Sequence, residues 1–510
     1  MYEIEKRNMT YQTHGKHFIG GELVKAQTQF QSETTNGPGS SFSVGDENHV
    51  NQAAIAAAKA FVSYSRTSRH DRAVFLNTIA DELDARGQDI TEVAMGETAL
   101  PEARLQGERG RTVGQLRLFA NVIENGDYLD KRQQQALPDR APAPGPEHKL
   151  IQRPVGPVAV FGASNFPLAF STLGGDTASA LAAGCPVIVK GHPAHPGTGE
   201  ITAEAISAAI KKCNLDSGVF SFIHDNTTVV GSALVKHPLV KAVGFTGSLR
   251  GGRALFDLCA SRPEPIPFFG EMGSVNPVFV LPQAAKSRGT TIGTDWAASL
   301  VMGAGQFCTN PGIVVGLEDS LSDFISGARD ALSNANAQSM LTKAIAAAYQ
   351  QGVDSVESVA GVETLVAGGA EGRDASPVLC VTTADTYLKN ASLHEEVFGP
   401  FGLIVTAKDT KQMLELCEQL EGQLTCTLQM DSDDLDFARQ LMPLLEQKAG
   451  RILANGYPTG VEVSNAMVHG GPYPASTNFG ATSVGTMAIR RFMRPVCYQN
   501  VPDELVLDWD

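Results

Sequence analysis

Nothing in the 510-residue sequence approaches the roughly 18 consecutive apolar residues that a bilayer span requires. The start, MYEIEKRNMTYQTHGKH, is polar and has no apolar stretch of a secretory signal, so a cytoplasmic protein without a membrane span is expected. None of the eight cysteines stands in a CxxC pair, and no Cys/His grouping has zinc-ligand spacing. That pattern points to reduced thiols and to no metal site. Cations are in deficit: 40 Lys plus Arg against 55 Asp plus Glu give a net charge of −15. A nucleic-acid partner is therefore not expected, because phosphate-backbone affinity rests on clustered cations. Neither GxxxxGK(S/T) nor a strand-borne GxGxxG occurs, which removes the common phosphate loop and the usual dinucleotide fingerprint.

What is present is the texture of a globular α/β protein, 43% apolar and 19% charged, long enough for two to four domains at roughly 150 residues each. Residues 48–125 carry apolar positions at three- and four-residue spacing and predict helices. Pro138, Pro142, Pro144 and Pro146 then impose an extended connector. Beyond it, short β-rich runs (VAVFG, PVIVKG, VFSFIH, VKAVGFTG) alternate with alanine-rich helical windows, the rhythm of parallel βαβ units. EPIPFFGEMGSVNPVFVL breaks that rhythm and reads as a junction, after which a second α/β set follows (GIVVGL, SPVLCVTT, FGLIVTA, LTCTLQM, GRILANG).

Several short segments carry candidate chemistry, each with a plainer reading beside it. VKAVGFTGSLRGGRALF enters a turn at Gly247-Ser248 and then a helix, whose N-terminus can hold a pyrophosphate; by itself it reads first as a structural turn. Cys308 alone among the cysteines lies in a glycine-rich turn, GAGQFCTNPG, where neighbouring N–H groups are expected to lower its pKa and hold an oxyanion; alone it could be a packing residue. Glu271, in PFFGEMGS, follows an apolar strand, and partial burial is expected to raise its pKa towards that of a working base, unless it is simply a carboxylate satisfied by local backbone N–H groups. Asn165, in VAVFGASNFP, stands just past a strand, as a turn residue or as an amide aimed at an alkoxide. HEEVFGP (394–400) could be solvated charge, and His469 in MVHGGPYPAS is a possible second base or a structural histidine.

Taken together and in order, these segments resemble the aldehyde dehydrogenase superfamily. SNFP, VIVKG, FTGS, GEMGS, GQFCT, EEVFGP and NGYPTGVE are similar to its motifs, and the similarity runs from FIGGELV (18–24) to the final strand. The subgroup resembled contains α-ketoglutarate semialdehyde (2,5-dioxopentanoate) dehydrogenases and NADP-linked bacterial fatty aldehyde dehydrogenases. The resemblance implies Cys308 as the nucleophile, Asn165 and the Cys308 N–H as holders of the alkoxide, and Glu271 as the base that activates water. It implies Lys190, Gly247, Ser248, Glu396 and Phe398 as cofactor-binding residues, on a five-stranded Rossmann variant that lacks GxGxxG. No carboxylate follows Lys190 in Lys190-Gly191-His192-Pro193, so a 2′-phosphate is not repelled and the cofactor is expected to be NADP or NAD. The turn after Glu271, GEMGSVNP, is less glycine-rich than the ELGGKSP of many members.

The implied architecture is an aldehyde dehydrogenase-like fold: a Rossmann-type cofactor domain (17–137 and 158–271), a second α/β catalytic domain (272–483) and a small β oligomerisation segment (138–157 and 484–510). The expected partners are an aldehyde and further copies of the chain, as a homodimer or homotetramer. α-Ketoglutarate semialdehyde is the preferred substrate and a long-chain aliphatic aldehyde the alternative. A substrate ending in a carboxylate calls for a cation; Arg104, Arg109, Arg111 and Arg117 on the helical stretch 101–125 could supply it, or could form a solvated basic face. A cysteine hydrolase using Cys308 with Glu271 or His469, and a non-catalytic binding protein on the same fold, are the readings from other classes.

Overall fold

A computed structural model of the chain describes residues 11–509. Its centre is a seven-stranded sheet in which Phe268–Glu271, Ala242–Thr246, Val158–Phe161, Val187–Lys190 and Phe220–Ile223 run parallel in that spatial order. The antiparallel hairpin His17–Ile19/Glu22–Val24 extends the sheet beyond Phe220–Ile223. The five parallel strands are nearly all buried, which is why their sequences read as continuous apolar runs and not as alternation.

Chain order sets where a ligand can sit. From Val158–Phe161 the chain moves outward through two strands on one side, then returns to lay Ala242–Thr246 on the other. The carboxyl end of Val158–Phe161 is thus the point at which strand order reverses, where crevices open in parallel sheets. Asn165 lies beyond that strand and Gly247 beyond its neighbour. Glu271 ends the next strand in register with Thr246, and Lys190 ends its own strand in register with Phe161.

The helices follow from simple local rules. Glu47–Tyr64 is started by Asp46, whose side chain accepts from the His49 N–H while the His49 ring accepts from the Asp46 N–H. Its Val50, Ala53, Ala54, Ala57, Ala60 and Tyr64 fall at helical spacing and are buried. Gly175–Ala183, alanine-rich, is buried along its whole length against the sheet, and Arg491 donates to Asp176 at 2.7 Å, tying the last segment of the chain to it.

A second seven-stranded sheet holds Val362–Val366, Val378–Thr383, Phe401–Ala407, Ile313–Leu317, Val278–Val280, Gln423–Gln429 and Ala449–Ala454, parallel apart from Val362–Val366. Cys308 lies in the turn that leads into Ile313–Leu317. A third sheet, of three antiparallel strands, joins Met493–Gln499 to His148–Pro154 and that strand to Arg132–Gln134. The proline-rich stretch between the last two contains no helix. Among the described residues no helix is long and apolar enough to cross a membrane.

Candidate active site

The turn bearing Cys308 is set by three successive residues in the left-handed region, Gly303 (φ 58°), Ala304 (φ 55°) and Gly305 (φ 66°). Only glycine fits at 305, since a Cβ there would lie 2.2 Å from the Gly399 carbonyl. Ala304 pays about 1–2 kcal/mol for its conformation, which the surrounding bonds offset. Asn276 is the main anchor: its Nδ2 donates to the carbonyls of Cys308 (2.8 Å) and Asn310 (2.9 Å). Asn276 is itself held from behind, because Gln423 Oε1 accepts from the N–H groups of Val275 and Asn276 and from Ser274 Oγ. The residues that make GEMGSVNP less glycine-rich are therefore those that brace the cysteine turn.

Cys308 Sγ meets two groups from far along the chain. It lies 3.5 Å from His469 Nε2, and that same nitrogen lies 2.8 Å from Glu271 Oε1. Ser483 Oγ donates to the other oxygen, Glu271 Oε2, at 2.7 Å. His469 Nδ1 is buried without a partner among the described residues, and Nε2 donates to the carboxylate, which can only accept. The ligand atoms of Cys308, Glu271 and His469 lie within 4.8 Å of one another, a donor set that could also seat a soft divalent cation.

Two electrostatic expectations are overturned here. Burial does press the Glu271 carboxyl upward, but His469, Ser483 and the Cys308 thiol all bond or attract its ionised form, and the net result lies below the usual carboxylate range. Cys308 moves the opposite way: burial, with the charges of Glu271 and Glu396, holds its thiol well above the usual value, against a smaller pull from Arg451. The resting pair is thus thiol and carboxylate, with the proton on sulfur. Burial first, and two carboxylates after it, set the state of this thiol.

Asn165 is buried beside the same turn and donates one amide hydrogen to Gln306 O at 2.9 Å. Lys190, at its strand end, donates Nζ to Asp225 O at 2.9 Å. Gly247 and Ser248 form an exposed turn in which Ser248 caps the helix Leu249–Ala260 and the Gly247 N–H donates to Glu271 O at 3.1 Å. Glu396 and Phe398 stand in the loop before Phe401–Ala407 and help to wall a cleft with Ser274, Val275, Gly305 and Asn310. An ammonium at a strand end and a helix N-terminus as donors, with a carboxylate open to the cleft as acceptor, are what a dinucleotide needs, so these residues fit NAD(P).

Residues 25–495 match the sequence model of the aldehyde dehydrogenase family. The chain belongs to that family. Its reaction is the NAD(P)-dependent oxidation of an aldehyde. The chain is 49% identical to alpha-ketoglutaric semialdehyde dehydrogenase 2 of Azospirillum brasilense over 505 residues, 97% of this chain and 96% of the relative. It is 46% identical to the alpha-ketoglutaric semialdehyde dehydrogenase of Acinetobacter baylyi, over 98% and 96%. Among solved structures it is similar to NADP-dependent glyceraldehyde-3-phosphate dehydrogenase from Bacillus halodurans, with TM-score 0.82 at 20% identity over 96% of this chain and 99% of the other. This aldehyde dehydrogenase contains site residues that reading along the sequence did not select, Ser483, Asn276 and Gln423. No local signal marks Ser483 or Gln423, whereas the departure at GEMGSVNP was the visible sign of Asn276.

Proposed function

We propose that this aldehyde dehydrogenase oxidises 2,5-dioxopentanoate, α-ketoglutaric semialdehyde, to the 2-oxo dicarboxylate, with Cys308 as nucleophile. The observation that carries the substrate is near-full-length identity to two enzymes of that name. Glu271 takes the thiol proton as sulfur adds to the aldehyde carbon, and His469 and Ser483 keep its carboxylate aimed and ionised for the task. The Cys308 N–H and the second amide hydrogen of Asn165 serve the alkoxide; losing one such donor typically costs about 10²–10³ in rate. When bound, NAD(P)⁺ supplies the hydride acceptor. Glu271 passes that first proton to solvent, then draws a second from the water that attacks the thioester on Cys308 and hands it to the leaving sulfur, which releases the acid and restores the thiol.

Lys190, Gly247, Ser248, Glu396 and Phe398 hold the cofactor in this reading. His192, in the run after Lys190 that carries no carboxylate, is kept neutral by burial and by its neighbours His195 and Lys190. It neither attracts nor repels a 2′-phosphate strongly, which supports use of both NADP and NAD. The exposed edge strand Arg132–Gln134 of the three-stranded sheet supports assembly into a homodimer or a pair of dimers. The test of the reaction is absorbance at 340 nm during turnover of 2,5-dioxopentanoate and of decanal with each cofactor. The reading expects reduced cofactor and a kcat/KM favouring 2,5-dioxopentanoate. A preference for decanal would replace the substrate, and acid formation without reduced cofactor would mark a hydrolase.

A further inference from the structure

The four arginines of the helix Glu102–Asn125 divide between two faces. Arg117 Nη2 lies 3.0 Å from Asp81 and Arg109 Nε 3.7 Å from Asp84, pairs on the outer side. Arg104 and Arg111, seven residues apart and so on one face, turn inward. Arg104 is held on several sides: it donates to Asn165 O at 3.2 Å, its Nε lies 3.9 Å from Glu108, and its guanidinium lies 4.5 Å from the Phe166 ring centroid and 4.6 Å from that of Phe307.

Arg111 is engaged on one side only. Its Nη1 donates to Val461 O, and its guanidinium lies 5.2 Å from the centroid of Phe170. Nε and Nη2 are buried and have no hydrogen-bond partner among the described residues. These two nitrogens form one edge of the guanidinium plane, whose parallel N–H vectors match the two oxygens of a carboxylate. A buried donor edge left open costs free energy, so it implies a partner. Glu108, Glu462 and Glu271 are the nearest carboxylates, yet none of them forms an ion pair with it among the described residues.

The position suits a substrate. Arg111 walls a cavity of about 510 Å³ with Gln115, Leu118, Val461, Glu462 and Val463. Phe170, beneath the guanidinium, has its ring centroid 6.0 Å from that of His469, which touches Cys308. Packed side chains thus link the sulfur through His469 and Phe170 to the guanidinium. We propose that the Nε/Nη2 edge of Arg111 receives the carboxylate of the aldehyde substrate and is the specificity-determining residue of this site. The proposal rests on the substrate reading above. An uncharged aldehyde of the same length leaves the edge open and forgoes that binding.

The experiment measures kcat/KM for 2,5-dioxopentanoate and for pentanal in the wild type, Arg111→Met and Arg111→Lys. Arg111→Met is expected to lose on the order of 100-fold or more on 2,5-dioxopentanoate, mainly through KM, because a buried charge pair loses one partner. On pentanal it should stay within about threefold. Arg111→Lys keeps the charge without the fork and should fall between; if the methionine variant does not fold, it carries the same comparison. Equal losses on both aldehydes, or no loss on the carboxylated one, would overturn the proposal. A wild type that does not favour 2,5-dioxopentanoate over pentanal would instead overturn the substrate reading, so the two failures are separate observations.

Discussion

Glu271 and Glu396 both act on Cys308, and the protein treats them in opposite ways. Glu271 is sealed, 3% exposed, yet its carboxyl is held below the usual range. Glu396 opens onto the cleft, yet the surrounding walls push its carboxyl up to about 8, a shift that water reaching the group tempers. Burial alone would predict the reverse order. The difference is the partner set: Glu271 has His469 and Ser483 on its two oxygens, whereas Glu396 is opposed only by one backbone N–H, from Ser274. One carboxylate is thereby kept as a ready base, and the other is left free to respond to whatever binds in the cleft.

The most direct way to break this comparison is to remove the charge of the sealed member. Glu271→Gln should lower kcat by about 10²–10⁴-fold at neutral pH. Rapid mixing should show the first turnover slowed as well, since the thiol has lost its proton acceptor. Raising the pH should then speed the first turnover, as Cys308 ionises unaided, while the steady state stays slow for want of a base for water. A steady-state rate within threefold of wild type would remove Glu271 from the chemistry.

Removing the partner instead should turn Glu271 into something closer to Glu396. His469→Asn takes away the Nε2 donor, and a bond to a charged group of this kind is worth about 10–100-fold in kcat/KM. The sign in pH follows from the direction of the shift. The base works when ionised, and its folded pKa is depressed by His469, so losing His469 raises that pKa and moves the acidic limb of the rate profile to higher pH. An acidic limb that stays in place would show that His469 does not set the charge of Glu271.

For the open carboxylate, the expected effect is on binding. Glu396→Gln should raise the KM for NAD(P)⁺ about tenfold, with kcat changed little, if the carboxylate accepts ribose hydroxyls. In the wild type, cofactor affinity should strengthen as pH rises towards about 8, because the ionised form is the better acceptor. The variant should lose that slope, and fluorescence titration of reduced cofactor at pH 6, 7 and 8 measures it.

How far the sequence discloses this contrast depends on the direction in which it is read. Strands and helices followed from periodicity, and the positions of Asn165, Lys190, Gly247 and Glu271 beside one crevice follow from strand order once the alternation is seen. The turn at Cys308 was legible because Gly303 and Gly305 announce left-handed backbone. The charge states were not legible. Ser483 lies 212 residues from Glu271 and His469 lies 198, so no window of sequence contains the bonds that depress that carboxyl. The two arginine faces occupy a middle case. Four arginines on one stretch look alike, but the seven-residue spacing of Arg104 and Arg111 was a usable sign that these two share a face.

Ser483→Ala sharpens the comparison most finely, because it strips one hydroxyl from the sealed carboxylate and leaves His469 in place. The Ser483 bond is a smaller influence on this carboxylate than His469, and an ordinary net hydrogen bond of about 1 kcal/mol sets the expected loss in kcat/KM at about 3–10-fold. The acidic limb should move to higher pH by less than in His469→Asn. Both side chains act on one carboxylate, so their effects should couple: the double variant should differ from the product of the single losses by a measurable factor. A Ser483→Ala effect as large as that of His469→Asn would mean that the number of donors, rather than the imidazole, separates Glu271 from Glu396.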